Sequence, residues 1–442
     1  MIVEHTDVAG ALRRLGLPIA GAMLGDQVLG IVDTIAIGSL GTAELAAATA
    51  ATTAFLTVGI SSFGLMSGLG VLGAQAVGAG EMERFGRIVR ASSIAPLAVA
   101  IACAVLGAFA AHALILALIG PLPTAGAGAA YFALRCASLI PMVATGLAVS
   151  ALGAAGNTRF AFTVLVAINT IHIPLLLVLA LGWGTHHPLG LAGAGISSLT
   201  AEIAGAALSV RALLRRPELR VFARFEIGRS LAWQTFALSL PQAVYLLLVL
   251  VPDVAIVAFL AALGAEHVAA YRALALVSDV TLAVPIGLET AAQTVLGQRF
   301  GAGDGIGARR FQLAATRYGI GLSAAAGIVV ACAAWPLAAV VTWNPGLADI
   351  AAIPLAVNML TLPLKGYAFV GLAPIRAVGD TRFQLIVGVV SSVAVIPLAW
   401  AGVGILHLGL FAAPFAWIGG WLLWCALVYA RLYRFDWYAA RL

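Results

Sequence analysis

Long apolar segments alternate with short polar stretches along the whole chain. An α-helix needs about 20 apolar residues to cross the hydrocarbon core of a bilayer, since each residue adds about 1.5 Å. The pattern predicts spans at residues 15–39, 44–78, 91–117, 127–153, 160–182, 188–213, 231–262, 266–299, 314–341, 347–375, 384–405 and 408–430. We therefore predict an all-α integral membrane protein with about twelve transmembrane helices.

Glycine and polar positions recur at a single spacing, which indicates an internal repeat. These pairs lie 223 positions apart: Pro18 and Pro241, Gly64 and Gly287, Gln75 and Gln298, Gly78 and Gly301, Arg87 and Arg310, and the runs at 156–160 and 379–383. A constant spacing across five spans means that a six-helix unit is duplicated, and because six is even, both copies have the same orientation in the membrane. We predict an N-terminal lobe at residues 1–220 and a C-terminal lobe at 221–442, arranged as pseudo-symmetric bundles around a central cleft.

Composition and charge support a membrane location. Hydrophobic residues make up 62% of the chain and charged residues only 10%, too few charges for a water-exposed surface. Arginines occupy alternate gaps between the spans: Arg13, Arg14, Arg84, Arg87, Arg90, Arg159, Arg211, Arg215, Arg216, Arg220, Arg224, Arg229, Arg299, Arg309, Arg310, Arg376, Arg382, Arg431, Arg434 and Arg441. The other gaps hold Glu44, His186, His187, Glu266, His267, Asp349 and His407. The positive-inside rule predicts cytoplasmic termini, and we expect a multi-pass protein of the bacterial inner membrane.

Neither an enzyme nor a nucleic-acid-binding protein is indicated. The sequence has no Walker lysine loop, nucleophile elbow or metal-ligand cluster, and its four cysteines are scattered in apolar segments. The net charge of +6 comes from arginines that border a membrane and do not form one patch. We expect no catalytic residue, metal or cofactor, no nucleic-acid partner, and a monomer whose partners are lipid and a small substrate.

Several motifs together point to one family. They are Pro18, Gly30-Ile31-Val32-Asp33-Thr34 and Ile37-Gly38 on span 1, Ala74-Gln75-Ala76-Val77-Gly78-Ala79 at the end of span 2, and the turns Gly156-Asn157-Thr158-Arg159 and Gly379-Asp380-Thr381-Arg382. Over essentially the whole chain, this set resembles the multidrug and toxic compound extrusion (MATE) family and, within it, the DinF-like branch. In both turns we expect the Asn157 or Asp380 side chain to cap the helix that follows.

The resemblance implies a V-shaped twelve-helix fold that exports amphipathic, often cationic compounds in exchange for inward protons or sodium. It implies that Asp33 is the coupling acid of helix 1 and that Pro18 is the residue at which this helix bends. The chain departs from some relatives at span 5, where Asn169 and Pro174 are kept but Ile173 replaces an acid. This departure argues against a two-carboxylate cation site on these two helices.

Acids inside spans are the leading candidates for coupling, because a carboxylate in hydrocarbon is costly and is retained mainly for function. Asp26 and Asp33 are about two helical turns apart and share one face of span 1. Such a carboxylate would take up a proton from the acidic outside and release it inside, while a cationic substrate competes for the same charge. The structural alternative is that both acids are satisfied by neighbouring helices.

Further polar residues within spans supply candidates for a substrate pocket. In the first half these are Asn169, His172, Ser198 and Glu202, and in the second half Asp253, Asp279, Glu289 and Lys365. Asn169, Ser198 and His172 are equally well explained as packing hydrogen bonds. Lys365 is the only lysine, and an ion pair with Glu289 or Asp253 would either lock two helices or act in gating.

Three other functions stay open on the sequence alone. A sodium-coupled exporter would bind the ion through several oxygens, which Asp33, Asn169 and Ser198 offer. A flippase of lipid-linked saccharides would need several buried bases for phosphate, whereas the spans contain Arg135, Arg272 and Lys365. A channel should show one continuous polar face through the membrane, and a scaffold has no need for buried acids on a duplicated cleft.

Overall fold

The computed structural model describes residues 7–121, 123–184, 187–223, 228–434 and 437. Arg224, His186 and Arg441, which contributed to the predicted topology, lie outside these residues. The helices are α1 Val8–Gly38, α2 Thr42–Gly64, α3 Ser67–Gly78, α4 Met82–Ile119, α5 Ala125–Ala154, α6 Arg159–Leu179, α7 Gly190–Leu214, α8 Arg229–Leu248, α9 Val251–Ala261, α10 Ala265–Gly301, α11 Gly305–Cys332, α12 Ala334–Thr342, α13 Pro345–Leu360, α14 Leu362–Ala377, α15 Thr381–Gly404 and α16 Ala412–Arg434.

The number of membrane spans confirms the prediction. By length and composition, 11 segments in the described residues are able to cross a membrane, or 12 when α13 and α14, bent by 40° at their junction, count as one. Three of the spans consist of two consecutive α-helices: α2–α3, α8–α9 and α13–α14. No strand occurs in the described part of the chain.

The two halves of the chain have the same order of helices, with ends that correspond at the predicted spacing. Shifting α4, residues 82–119, by 223 positions gives 305–342, where α11 begins and α12 ends. Shifting α1, residues 8–38, gives 231–261, which the α8–α9 pair covers. The duplication therefore extends to the helix boundaries, while the breaks within spans differ between the halves.

The repeated turns show why glycine recurs in them. Gly156 and Gly379 have φ of 88° and 89°, a conformation that glycine adopts without steric cost. Asp380 then caps α15, accepting a hydrogen bond from the Phe383 amide at 3.2 Å. The prediction that Asn157 caps α6 is wrong. The N-cap residue of α6 is Thr158, and no side chain caps this helix.

The helices pack into two compact units. The N-unit is Gly21–Ala243, and the C-unit is Met1–Ala20 together with Val244–Leu442. The predicted lobes at 1–220 and 221–442 follow the sequence repeats. The packing units differ from them, because the start of α1 belongs to the C-unit and most of α8 to the N-unit.

Close helix crossings explain where α1 and α8 pack. In the C-unit, a Cβ built on Gly287 of α10 would lie 2.8 Å from the Gly16 carbonyl oxygen and 3.0 Å from the Ala20 amide nitrogen, both on α1. In the N-unit, a Cβ on Gly64 of α2 would lie 2.4 Å from the Ala243 Cα on α8. Glycine is required at both crossings because backbone atoms occupy the space that a side chain would need.

Candidate functional site

An acid and a histidine pair inside the N-unit. His172 of α6 and Asp33 of α1 are joined by a hydrogen bond of 2.7 Å between Nε2 and Oδ1. The His172 side chain is 3% exposed and the Asp33 side chain 24%. His172 belongs to the buried stripe of α6, with Ile168 and Leu176 one turn away on either side. Helical periodicity therefore directs the imidazole inward, where it meets Asp33 and forms a pair able to hold a shared proton.

Two more acids interact electrostatically with this pair, and one arginine interacts with both of these acids. Asp26, exposed on α1, interacts with Arg135 of α5 and with Asp33. Glu202, partly buried on α7, interacts with Arg135, Asp26 and His172. We call Asp26, Asp33, Arg135, His172 and Glu202 the N-unit cluster. Its three carboxylates exceed its one guanidinium, so the cluster favours a bound cation or proton.

Arg135 is the member that the sequence did not single out. Its guanidinium carbon lies 4.5 Å from the centre of the Phe55 ring, a cation–π geometry. Its Nε is buried without a hydrogen-bond partner among the described residues. The sequence does contain a signal for Arg135. An arginine within a span, like an acid within a span, marks a functional position.

The side chains of Asn169 and Ser198 make different kinds of hydrogen bond. The Asn169 amide nitrogen donates to the Gly25 carbonyl at 3.4 Å, which links α6 to α1 beside Asp26. Its Oδ1 is buried and has no partner in the described residues. The Ser198 hydroxyl donates to the Ala194 carbonyl of its own helix at 3.1 Å. Asn169 therefore contributes to the site, whereas the contact of Ser198 is internal to α7.

Pro18 lies in the part of α1 that belongs to the C-unit. It sits between Gly16 and Ala20, the residues that approach Gly287 of α10. Its role as a bending point stays a prediction.

The candidates of the second half form two separate groups in the C-unit. Glu289 of α10 pairs with Arg376 of α14 at 2.6 Å and not with Lys365. Asp253 of α9 accepts a hydrogen bond from the Tyr271 hydroxyl. Lys365 and Asp279 interact electrostatically with Asp253 and with each other. In the described residues, no group of three or more histidine, cysteine or acidic side chains is arranged to hold a metal ion.

Known proteins resemble this chain in sequence and in fold. The probable multidrug resistance protein NorM of Rhizobium meliloti is 27% identical over 88% of this chain and 87% of its own length. A solved multidrug resistance MATE family transporter of the MOP superfamily, in an outward-facing conformation, has a TM-score of 0.88 at 18% identity, with 96% of both chains covered. A Vibrio cholerae MATE transporter, VcmN, has a TM-score of 0.87 at 19% identity, covering 98% of this chain and 99% of its own.

These structures share the fold of this chain. The sequence model of the MatE family matches twice, at residues 18–178 and 241–401. Both matches begin and end at the spacing of the internal repeat, 18 to 241 and 178 to 401. The chain is a multi-pass membrane protein that belongs to the MatE family.

Proposed function

We propose that this protein is a proton-coupled exporter of amphipathic, often cationic compounds, and that the Asp33–His172 pair carries the coupling proton. The observation that carries the proposal is the 2.7 Å contact between these side chains within a cluster rich in acids. Relatives named as multidrug resistance proteins support the class of substrate. We also propose, because of the span 1 and span 2 motifs, that the protein belongs to the DinF-like branch.

Coupling follows from competition for one negative charge. When Asp33 is ionised, the N-unit cluster attracts a cationic substrate from the cytoplasm. A proton arriving from outside neutralises the carboxylate, which removes the attraction and releases the substrate. Because each ligand weakens binding of the other, outward movement of substrate and inward movement of protons are linked.

The surroundings of Asp33 support protons over sodium as the coupling ion. Sodium needs several oxygen ligands at once, whereas a proton needs a single basic atom. One carboxylate oxygen of Asp33 faces an imidazole nitrogen, which is a partner for a proton and not an oxygen ligand for sodium. His172 itself is able to accept or pass on a proton.

Asp26 and Glu202 extend the site along α1 and α7. Both interact electrostatically with Arg135, which in the absence of substrate serves as their counter-charge. A cationic substrate would take over that role. Asp26 assists Asp33 in proton coupling, and Asn169, His172 and Glu202 line the substrate pocket, whereas the Ser198 hydroxyl is bonded within α7.

We also propose that the protein lies in the bacterial inner membrane with both termini in the cytoplasm. The arginine-rich connections then face the cytoplasm, as the positive-inside rule requires. In this orientation, protons enter from the outside, down the gradient that a bacterium maintains.

Transport in proteoliposomes tests the proposal. An imposed pH gradient in sodium-free potassium buffer should drive transport of a cationic dye such as ethidium by the wild type. Asp33→Asn should abolish this transport, because the amide cannot take up a proton. Glu218→Gln is the matched control, since Glu218 is an exposed acid in the connection after α7. Dye transport that persists in folded Asp33→Asn, or that requires sodium, would refute the proposal.

A further inference from the structure

A pocket in the N-unit lies between α4 and α8, and no member of the N-unit cluster lines it. Its volume is about 340 Å³, which is within the range of sites for small molecules. From these two helices its walls include Ser92, Ile94, Ala95, Arg229, Trp233 and Phe236. The proposed coupling mechanism does not use this pocket, so its occupant must be argued from its own walls.

The pocket is polar at one end and apolar at the other. Arg229 is exposed and is the first residue of α8. Trp233 lies one turn further along, and its ring centre is 5.6 Å from that of Phe236. At 1.5 Å per residue, Arg229 and Phe236 are about 10 Å apart along the helix axis. An amphiphile with a polar head and an apolar tail fits this order, because tryptophan prefers the boundary between headgroups and hydrocarbon.

The mouth of the pocket is bordered by exposed apolar side chains. Ile94 is 43% exposed and Trp233 is 68% exposed. Both belong to segments that are long and apolar enough to cross a membrane. Large apolar side chains left open on such a surface mark contact with lipid, so we infer that the pocket opens toward the bilayer.

Two polar groups of the pocket have no partner in the protein. In the part of the chain that the structure describes, the ion pairs of arginines with acids involve Arg84, Arg299, Arg376 and Arg431. None involves Arg229, and no acid lines the pocket. The exposed guanidinium is therefore available to an anion.

The second group is the hydroxyl of Ser92, a residue that is 3% exposed. This hydroxyl has no hydrogen-bond partner among the described residues. Nearby hydroxyls do have one: those of Ser93 and Thr235 donate to carbonyls of their own helices at 2.7 and 2.9 Å. Because leaving a buried hydroxyl unpaired is costly, an acceptor brought by a ligand would stabilise Ser92.

The other repeat does not have these polar and aromatic residues. At the positions 223 residues away, Ala315 corresponds to Ser92 and Gly10 to Trp233. The duplicated scaffold therefore forms without them, which indicates that they serve this pocket and not the fold.

We propose that the pocket binds one anionic phospholipid. Its phosphate would lie at Arg229, an ester carbonyl at Ser92, and part of one acyl chain against Ile94 and Phe236. Arginine binds phosphate through charge-assisted hydrogen bonds, and basic pockets between transmembrane helices bind anionic headgroups. A lipid with a net negative charge is favoured over a zwitterionic one, because no acid in the pocket wall balances a headgroup cation.

Thermal unfolding of the purified protein in detergent tests the proposal. The probes are dioleoyl phosphatidylglycerol and dioleoyl phosphatidylcholine, which have the same chains and differ in net charge. Phosphatidylglycerol should raise the melting temperature of the wild type by at least ~2 °C more than phosphatidylcholine does, because a ligand that binds only the folded state stabilises it. Arg229→Gln removes the cation and Ala95→Leu fills part of the pocket, so each should reduce this difference to less than half.

Arg159→Gln is the matched control, since Arg159 is exposed and begins α6 as Arg229 begins α8. It should keep the full difference between the two lipids. Comparing lipids within each variant separates lipid binding from the effect of the substitution on stability. If Ala95→Leu does not purify as a monodisperse species, Ala232→Leu, at another wall of the pocket, replaces it.

Several results would overturn the proposal. One is a lipid difference that survives in folded Arg229→Gln or in the folded pocket-filling variant. Another is a loss of the difference in Arg159→Gln, which would indicate a general effect of surface charge. Equal stabilisation of the wild type by both lipids would exclude a preference for anionic lipid. Equal stabilisation by glycerol 3-phosphate and phosphatidylglycerol would indicate an anion site without a lipid. Because the readout is stability, the result is independent of transport and of the coupling role of Asp33.

Discussion

The pair formed by Glu289 and Arg376 is the most deeply buried ion pair in the described residues. Their side chains are 3% and 15% exposed and meet at 2.6 Å. Removing one partner of a buried pair leaves the other charge uncompensated, which costs more than the pair itself contributes. In the first repeat, Met66 and Gly153 stand at these positions, so the scaffold does not require the charges.

Glu289→Gln should therefore destabilise the protein by about 3–5 kcal/mol, seen as a lower unfolding midpoint in a denaturant titration. The double variant Glu289→Met with Arg376→Leu should recover most of this loss, because an apolar pair leaves no charge unpaired. A double variant as unstable as Glu289→Gln would show that the pair is not the cause.

We expect His172 to support transport by donating a hydrogen bond to Asp33. His172→Phe removes the donor and should lower dye transport in proteoliposomes at least ~10-fold, since a buried charge-assisted hydrogen bond is worth about 1.5–3 kcal/mol. His172→Gln keeps a nitrogen donor on a side chain of similar reach and should retain more activity than His172→Phe. Equal transport by His172→Phe and the wild type would contradict a role for this bond.

Sequence reasoning named both Asp33 and His172 as candidates but did not pair them. An acid inside a span is visible in one segment of sequence, whereas the contact with His172 joins residues far apart in the chain and depends on how α1 and α6 pack. Arg135 was counted as a buried base, but its place beside Asp26 and Glu202 likewise depends on packing. The same limit explains why Lys365 was expected to pair with Glu289 or Asp253. Glu289 instead pairs with Arg376, and Asp253 accepts a hydrogen bond from Tyr271.

Helix crossings at repeated glycines are the main feature at the level of elements. Gly64 and Gly287 occupy equivalent positions, and each faces the backbone of the first helix of the other repeat, at Ala243 and Ala20, which are themselves equivalent. Thus the repeat motif read from the sequence marks a packing constraint.

Spans were predictable because hydropathy determines them. The breaks between α2 and α3 or between α13 and α14 were not, because an apolar run looks the same whether its helix is continuous or broken.

These crossings predict a difference between glycines. Gly64→Val and Gly287→Val should each strongly lower the melting temperature, because the added atoms would overlap backbone that is unable to move without separating two helices. Gly321→Ala on α11 is the control, since a Cβ there meets nothing within 4 Å, and the change should be neutral or stabilising by up to about 1 kcal/mol. If Gly287→Val melts at the wild-type temperature, the crossing is looser than described.

At the scale of the whole molecule, the duplication fixes which connections must lie on the same side of the membrane. Equivalent positions in two parallel repeats face the same compartment, because six spans separate them. Two such pairs are exposed: Ala43 with Glu266, at the start of α2 and α10, and Glu83 with Ile306, at the start of α4 and α11. With the termini in the cytoplasm, as we propose from the arginine distribution, the first pair would face the outside and the second the cytoplasm.

Single cysteines at these four positions test the orientation of the entire chain. The native Cys103, Cys136, Cys332 and Cys425 are first replaced, and intact cells are treated with a membrane-impermeant maleimide. Cysteine at Ala43 or Glu266 should react in intact cells, whereas cysteine at Glu83 or Ile306 should react only after the membrane is opened. Labelling that differed within a pair would contradict parallel repeats. Labelling reversed for both pairs would leave the repeat intact but invert the topology, so that the Asp33 site would exchange protons from the opposite side.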